Sequence, residues 1–394
     1  MSELFPIIFS IIFMALVSLI SALFLRKLLP AWWKLRWVRL GSYLITIFGA
    51  LCILLWGIGS QTNWSVMMGV GASGAALAVV IQIAMMLSLP LSWLWNLILR
   101  VIGRKHGWTE PDKSRRRFLK TSAVIFPAAA ITSGAVGVAR SFGDVSIPYK
   151  HFKFSNLPDA LNGLKILQIS DLHLGYYVIL SDAEKALAAL KEHEPDIILL
   201  TGDIADDLTA LPYILRMIAG LKPRLGVYSC IGNHEYYRGI SEVIQAYNNS
   251  PIPLLIGSGL TVDVDETAKL YIGGCDDPRR LSMLSQDFYE NAAAKCLKEA
   301  PADAFRILMS HRPQGFDAAV KLGVPLTLSG HTHGGQIGFD KRSIFEGFMP
   351  DKYLWGSYSK SDECHLYTTS GMGHWFPFRL GCPQEAPIIV LEKA

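Results

Sequence analysis

The residues of this 394-residue chain that could carry out chemistry are concentrated in five short clusters in its second half. They contain five of the ten histidines, and they are Asp171-Leu172-His173, Gly202-Asp203 with Asp206, Gly232-Asn233-His234-Glu235, His311, and Gly330-His331-Thr332-His333. Imidazole and carboxylate groups are ligands that suit Zn, Fe and Mn. If these groups were buried together without a cation, their negative charges and polar atoms would lack partners that offset the loss of water. The clusters therefore predict a site for a pair of divalent cations.

Each cluster directly follows a short apolar run that predicts a β-strand. These strands cover residues 164–169, 196–200, 226–230, 305–309 and 326–328. Further strands are predicted at 254–256, 260–264, 270–273, 366–369 and 388–391, and helices at 182–193, 208–221, 241–248, 287–299 and 315–321. Alternation of strands and helices favours a layered α/β fold, in which sites form where strands end. We therefore expect the clusters to meet at the C-terminal ends of five strands.

The alternative for any single cluster is a structural role. A lone histidine at a strand end is most often a hydrogen-bonded structural residue, and one Asp-x-His or one Gly-Asn-His is weak evidence for a metal. Five such clusters after five strands are hard to explain by packing, because the crowded polar and charged groups would lack partners.

In this order, the clusters resemble the signature of the calcineurin-like metallophosphoesterase superfamily: D-x-H, G-D-x-x-D, G-N-H-D/E, H and G-H-x-H. The resemblance covers about residues 160–392. It implies a four-layer α/β/β/α domain with two divalent metal ions (Mn, Fe or Zn). The segments Asp-Leu-His-Leu-Gly from Asp171 and His-Thr-His-Gly-Gly-Gln from His331 are most similar to a bacterial subgroup of membrane-anchored or twin-arginine-exported phosphodiesterases.

The resemblance also implies a ligand set for each metal. The first metal would be held by Asp171, His173, Asp203 and His333. The second metal would be held by Asp203, Asn233, His311 and His331, with the Asp203 carboxylate bridging the two ions.

Four further residues are expected near the metals without binding them. His234 would contact the phosphoryl group or protonate the leaving oxygen, and Asp206 would orient it. Glu235 stands where many members of the superfamily have Asp. Arg379 either binds a substrate phosphate through its planar guanidinium or forms a surface salt bridge.

The first 142 residues have a different character and predict a membrane domain. The whole chain has 18% charged residues and a mean hydropathy of +0.30, whereas a soluble domain carries roughly 25% charged residues. A helix needs about 20 apolar residues to cross a bilayer. About four spans are predicted, at 4–25, 40–60, 65–88 and 121–139, with 91–103 as a kinked interfacial continuation beyond Pro90. Residues 143–394 would form the metallophosphoesterase domain.

Basic residues predict how these spans are oriented. Five Lys/Arg lie in 26–39 and eight lie in 100–120, whereas the turn 57–63 has none. Since basic loops stay in the cytoplasm, residues 143–394 are expected on the outer, periplasmic side of a multi-pass inner (cytoplasmic) membrane protein. Residues 114–120, Ser-Arg-Arg-Arg-Phe-Leu-Lys, resemble a twin-arginine export signal, so the export machinery is a candidate partner. The alternative is ordinary basic flanking of a span.

The net charge of residues 143–394 and the five residue clusters together limit the possible functions of the chain. Residues 143–394 hold 23 Lys/Arg and 30 Asp/Glu, which argues against nucleic acid as a partner. The leading hypothesis is a membrane-bound phosphoesterase that cleaves phosphodiesters or diphosphates of a membrane or cell-envelope substrate, such as a lipid. One alternative is a pyrophosphatase for a UDP-linked acylated sugar. Another is a non-enzymatic membrane receptor with a metal-binding domain, against which the complete ligand set counts.

Overall fold

A computed structural model describes residues 4–62, 64–105, 113–175, 177–278, 285–348 and 352–394. The chain divides into two compact units. The helical unit comprises Met1–Arg140 and Phe376–Phe378, and the mixed unit comprises Ser141–Trp375 and Arg379–Ala394.

The helical unit contains long, apolar α-helices. They are α1 (Leu4–Leu28), the short α2 (Pro30–Trp33), α3 (Arg36–Thr62), α4 (Ser65–Lys105) and α5 (Lys113–Arg140). Three of their segments are long and apolar enough to cross a membrane, Ile8–Leu28, Arg36–Gly59 and Val66–Ile98. The predicted fourth span falls in α5, whose described apolar part, Val124–Arg140, is shorter. The side chains of the twin-arginine-like motif at 114–120 lie outside the described residues.

The helices of this unit pack through small residues while their large apolar side chains face outward. A Cβ atom added to Gly71 of α4 would lie 2.3 Å from the backbone nitrogen of Trp56 in α3. Such close approach of backbones is typical of helix pairs in membranes. Leu16, Phe48 and Leu87 are among the many large apolar side chains that stay exposed, as expected for surfaces that face lipid.

Helix α4 continues through Pro90 to Lys105, and its apolar segment long enough to cross a membrane extends past the predicted end at 88 to Ile98. The Ser88 hydroxyl donates to the carbonyl of Met85, and the Ser92 hydroxyl donates to the carbonyl of Ser88. Back-bonding of serine hydroxyls to carbonyls of the preceding turn often bends a helix.

The mixed unit contains two six-stranded sheets that face each other. The first has the order β1-β14-β2-β3-β4-β5, and its strands are Tyr149–Phe154 (β1), Lys165–Ile169 (β2), Ile197–Thr201 (β3), Val227–Cys230 (β4), Leu254–Leu255 (β5) and Ile388–Lys393 (β14). The second has the order β12-β13-β9-β8-β7-β6, and its strands are Ser258–Asp263 (β6), Lys269–Gly274 (β7), Phe305–Met309 (β8), Leu326–Ser329 (β9), Gly356–Ser361 (β12) and Cys364–Thr368 (β13). A separate hairpin pairs Gly338–Phe339 (β10) with Arg342–Ser343 (β11).

Helices cover the outer faces of both sheets. Three of them, Leu180–Lys191 (α6), Leu211–Ala219 (α7) and Ile240–Asn248 (α9), pack on the first sheet. Two others, Gln286–Leu297 (α10) and Gly315–Lys321 (α11), pack on the second. The buried layer between the sheets includes Leu199 from one and Ile307 from the other. The predicted four-layer α/β/β/α architecture is confirmed.

The topology brings the ends of parallel strands together. Strands β2, β3 and β4 are parallel neighbours in the first sheet, and β8 and β9 are parallel neighbours in the second. All five strands predicted to precede the clusters are present. Among the strands and α-helices described in the mixed unit, five were not predicted: β1, β10, β11, β12 and the short helix α8 (Asn233–Arg238).

Candidate metal centre

The five clusters meet in one buried place at the C-terminal ends of β2, β3, β4, β8 and β9. Backbone hydrogen bonds join their loops, since the N–H of Asp171 donates to Gly202 and the N–H of Gly330 donates to His311. A Cβ atom at Gly330 would lie 2.1 Å from Oδ2 of Asp171, so only glycine leaves room for this contact.

Five of the predicted ligands have a left-handed backbone. The φ angles are 52° at Asp171, 49° at His173, 54° at Asp203, 68° at His331 and 49° at His333. Non-glycine residues adopt this region at a cost of about 1–3 kcal/mol each, and such residues cluster at functional sites. The loops are therefore shaped to aim side chains inward at the expense of local stability.

The first group of ligands consists of Asp171, His173 and His333, all buried. The Nε2 atoms of His173 and His333 are 3.2 Å apart. Oδ1 of Asp171 is 3.9 Å from the first of these nitrogens and 3.5 Å from the second. Two imidazole nitrogens and a carboxylate oxygen that converge in this way are a set that a divalent cation can bind.

The second group consists of Asp203, His311 and His331. Nε2 of His311 is 3.1 Å from Oδ2 of Asp203. Nδ1 of His311 donates to the carbonyl of Thr201 over 2.7 Å. This bond leaves the Nε2 lone pair of the neutral ring free, which is the usual way in which the second shell prepares a histidine ligand.

Asp203 faces both groups. Its Oδ2 is also 3.8 Å from Nε2 of His173 in the first group. Its other oxygen, Oδ1, accepts a hydrogen bond from the backbone N–H of His234. One carboxylate between two groups of candidate ligands is the arrangement that the family resemblance implies for a bridging ligand.

One buried atom in this place, Oδ1 of Asn233, has no hydrogen-bond partner among the described residues. Leaving a buried polar atom without a partner costs about 1–3 kcal/mol. This amide oxygen is a lone-pair donor suited to a cation. The residues present therefore fit a pair of divalent metal ions.

The two histidines of the last cluster, both candidate metal ligands, are held neutral. Burial, reinforced by the charges of His311 and Arg312, holds the pKa of His331 well below its usual range. Burial and the Arg379 guanidinium do the same for the pKa of His333. A neutral imidazole is the form that binds a metal.

For His311, in contrast to His331 and His333, neighbouring carboxylates affect the pKa more than burial does. Burial disfavours its charged form, but Asp203, together with Asp171 and Asp277, outweighs burial and raises the pKa of His311 to about 10. Without a cation, a proton on His311 thus compensates the carboxylates. Metal binding must displace that proton, so the metal affinity of this group should rise with pH.

Asp206 links the metal ligands to His234. Its Oδ1 is 2.6 Å from Nδ1 of His234, and its Oδ2 is 3.3 Å from Nδ1 of His173. Burial disfavours ionisation of Asp206, but hydrogen bonds from both histidines outweigh burial and lower its pKa. For His234, burial opposes protonation, but the Asp206 bond and the charge of Asp203 outweigh it and raise the pKa. His234 can therefore hold a proton near neutral pH.

The open side of the centre is a cavity of about 390 Å³. It is lined by Asp203, Asn233, His234, His331, Thr332, His333, Gly335, Leu354 and Trp375. His234 is partly accessible there, with 18% of its side chain exposed, so a substrate in the cavity could reach it.

The structure corrects one of the two roles predicted for Arg379, the surface salt bridge. Arg379 is buried, not at the surface, and its guanidinium donates to the carbonyls of Ser370 and Gly373 over 2.7 and 2.5 Å. Its Nη2 also lies 3.1 Å from Nδ1 of His333. Binding of a substrate phosphate by this guanidinium stays a prediction. The geometry gives Arg379 a role in positioning His333.

Three residues of the centre escaped the sequence analysis in whole or in part. The buried carboxylate of Glu235 accepts from the N–H groups of Gly232, Asp203 and Ile204 at 2.9–3.0 Å. Arg312 pairs with the buried Asp277 over 2.9 Å and places Nη1 2.6 Å from Nε2 of His331. The only signal for Arg312 was its position next to His311.

Comparison with known proteins agrees with this geometry. Residues 164–335 match the family model described as calcineurin-like phosphoesterase. An uncharacterized metallophosphoesterase from Aquifex aeolicus is 32% identical over 235 residues, which cover 58% of this chain and 85% of that protein. The chain therefore belongs to the calcineurin-like phosphoesterase family.

Two further relatives extend the likeness. The uncharacterized metallophosphoesterase YkuE of Bacillus subtilis is 29% identical over 300 residues, covering 71% of this chain and 98% of that protein. A transmembrane protein with metallophosphoesterase domain from Danio rerio is 26% identical over 361 residues, covering 89% of this chain and 79% of that protein. A match over 89% of the chain includes most of the helical unit. With its three long apolar helices, the chain is a membrane protein that carries a metallophosphoesterase domain.

Proposed function

We propose that the chain is a dinuclear-metal phosphoesterase that hydrolyses phosphodiester or diphosphate bonds of a membrane-associated or cell-envelope substrate. The observation that carries the proposal is the shared position of Asp203, whose carboxylate faces both ligand groups. The partnerless Oδ1 of Asn233 supports it. When bound, two divalent ions would lower the pKa of a water molecule and offset the charge on the phosphoryl oxygens.

The protein's own groups supply the rest of the chemistry. Water adds to phosphorus as the bond to the leaving oxygen breaks, and that oxygen needs a proton. His234 is the donor that the geometry supports, since Asp206 holds its Nδ1 and leaves Nε2 for the cavity. Proton transfer from a positioned histidine contributes about 10²–10⁴ in rate.

Hydrolysis of bis-p-nitrophenyl phosphate by the purified full-length chain tests this function. We expect activity that is abolished by chelation and restored by Mn²⁺, with about two transition-metal ions bound per chain. A protein without bound metal and without hydrolysis would instead favour the receptor alternative.

We further propose that the mixed unit lies on the outer side of the cytoplasmic membrane. The basic loops at 26–39 and 100–120 support this orientation, and the motif at 114–120 would assign export to the twin-arginine machinery. A reporter that is active only outside the cytoplasm, fused after Ala394, should be active. Activity only of a cytoplasmic reporter at the same position would contradict the orientation.

A further inference from the structure

A short hairpin beside the metal centre exposes large apolar side chains. We call residues 336–348 the rim hairpin; it contains β10 and β11. Phe339 is 81% exposed, Phe348 is 87% exposed and Ile344 is 47% exposed. Single exposed apolar residues are ordinary, whereas several together on a small element mark a contact surface.

The rim hairpin has a defined shape. Phe339 pairs with Arg342 across a two-residue turn, in which Asp340 and Lys341 have φ angles of 49° and 61°. Positive φ at both turn residues is the requirement of the tight turn that suits the twist of a hairpin. At the base, the Arg342 guanidinium donates to the carbonyls of Trp355 and Ser357. The tight turn and the hydrogen bonds of Arg342 thus hold the backbone at Phe339 in a defined position.

The rim hairpin is attached to the mouth of the metal cavity. Gly335, directly before it, and Leu354, shortly after it, both line the cavity. A Cβ atom at Gly335 would lie 2.7 Å from the Phe345 ring, so the hairpin packs directly on the loop that carries His333. A surface that contacts these exposed apolar residues would therefore lie at the entrance of the metal cavity.

We propose that the rim hairpin contacts the surface of a lipid bilayer and brings lipid phosphodiesters to the metal cavity. A bilayer is the occupant that the chain itself favours, because its three apolar helices keep the mixed unit tethered to a membrane. The exposed Lys341 and Arg342 follow Phe339 closely in the rim hairpin, which also carries the acids Asp340 and Glu346. Apolar side chains next to basic residues are the composition that binds the boundary between headgroups and acyl chains.

The first test compares hydrolysis of two substrates that have the same leaving group. This test rests on the proposed phosphoesterase function. The full-length chain is reconstituted in phosphatidylglycerol-containing vesicles. It is then assayed on soluble bis-p-nitrophenyl phosphate and on the p-nitrophenyl ester of dioleoyl phosphatidic acid in those vesicles. The double variant Phe339→Ser/Phe348→Ser should lose about tenfold on the lipid diester and less than twofold on the soluble diester.

The matched control is Tyr213→Ser on α7, an aromatic residue that is 55% exposed and lies outside the rim hairpin. It should leave both rates unchanged. If the double variant keeps the parent's ratio of the rate on the lipid diester to the rate on the soluble diester, the inference is overturned. This holds even if the double variant loses self-association, because the apolar residues would then contact a second copy of the chain and not a bilayer. Failure of the parent protein on both diesters would instead count against the proposed function.

The second test needs no catalysis. An NBD group attached to the variant Phe339→Cys should shift its emission to the blue in vesicles and be quenched by bromo-acyl lipids. The same label on the variant Tyr213→Cys should do neither. Of the native cysteines, five are buried and Cys364 is partly so, so the parent protein treated with the label supplies the background. Absence of quenching at 339 would refute contact with lipid, whatever the catalytic result.

Discussion

His234 and Asp206 are the residues on which the proton chemistry of the proposed reaction depends. His234 borders the cavity, and Asp206 holds His234 by one oxygen and the ligand His173 by the other. One carboxylate thus connects the proposed proton donor with a proposed metal ligand.

Replacement of His234 by Asn should lower kcat on bis-p-nitrophenyl phosphate by about 10²–10⁴, because the leaving oxygen would lose its proton donor. Metal content should stay at the parent value, since His234 belongs to neither of the two proposed ligand sets. Steady-state kinetics and elemental analysis of the same sample check both statements. Retained kcat in a fully metallated variant would remove His234 from the mechanism.

Replacement of Asp206 by Asn should change the pH dependence of the reaction. Burial lowers the pKa of His234 and the Asp206 carboxylate raises it, so loss of the carboxylate lowers that pKa. The alkaline limb of kcat/KM, which reports loss of the proton from His234, should move to lower pH. A limb that stays in place or moves upward, at unchanged metal content, would contradict this role of Asp206.

At the scale of elements, the site depends on short loops that are clamped to one another. Glu235 in α8 accepts from three backbone N–H groups, two of which belong to the loop that follows β3. Because that loop carries Asp203, the clamp fixes the position of the proposed bridging carboxylate.

Replacement of Glu235 by Ala should destabilise the mixed unit by about 1–3 kcal/mol for each buried N–H left without an acceptor. Chemical denaturation measures this change in the free energy of unfolding. The control is Glu266→Ala, which changes an exposed glutamate of a loop and should have little effect. Equal stability of the two variants would show that the clamp is unimportant.

Sequence patterns predicted the elements whose signal is local. The strands before the clusters are continuous apolar runs, and their ends could be located to within a residue or two. Strand β12, Gly-Ser-Tyr-Ser-Lys-Ser, is polar and mostly exposed, so no apolar pattern marks it. The environment of Arg379 depends on the carbonyls of Ser370 and Gly373, and nothing in a sequence shows where carbonyls point. The same holds for the Arg312–Asp277 pair, since its members are 35 residues apart.

At the scale of the whole molecule, metal binding should support folding. The centre buries Asp171 and Asp203 together, and burial raises the pKa of Asp171. A cation bound only by the folded state stabilises it by about 2.7 kcal/mol when its concentration is 100 times Kd.

Chelation should therefore lower the melting temperature, and added Mn²⁺ should restore it. Asp203→Asn should weaken this response, because both ligand groups lose their shared carboxylate. Thermal unfolding of the parent and the variant, with and without chelator, measures the difference. A melting temperature of the parent that does not respond to chelator would count against a metal-supported fold.

The central claim is that loops distant in sequence hold two cations around one shared carboxylate. Anomalous diffraction from crystals of the full-length chain grown with Zn²⁺ tests it most directly. The account predicts two peaks, both next to Asp203, at ligand distances of about 2.0–2.2 Å, one with Asp171, His173 and His333 and the other with Asn233, His311 and His331. A single peak, or peaks away from Asp203, would contradict the account.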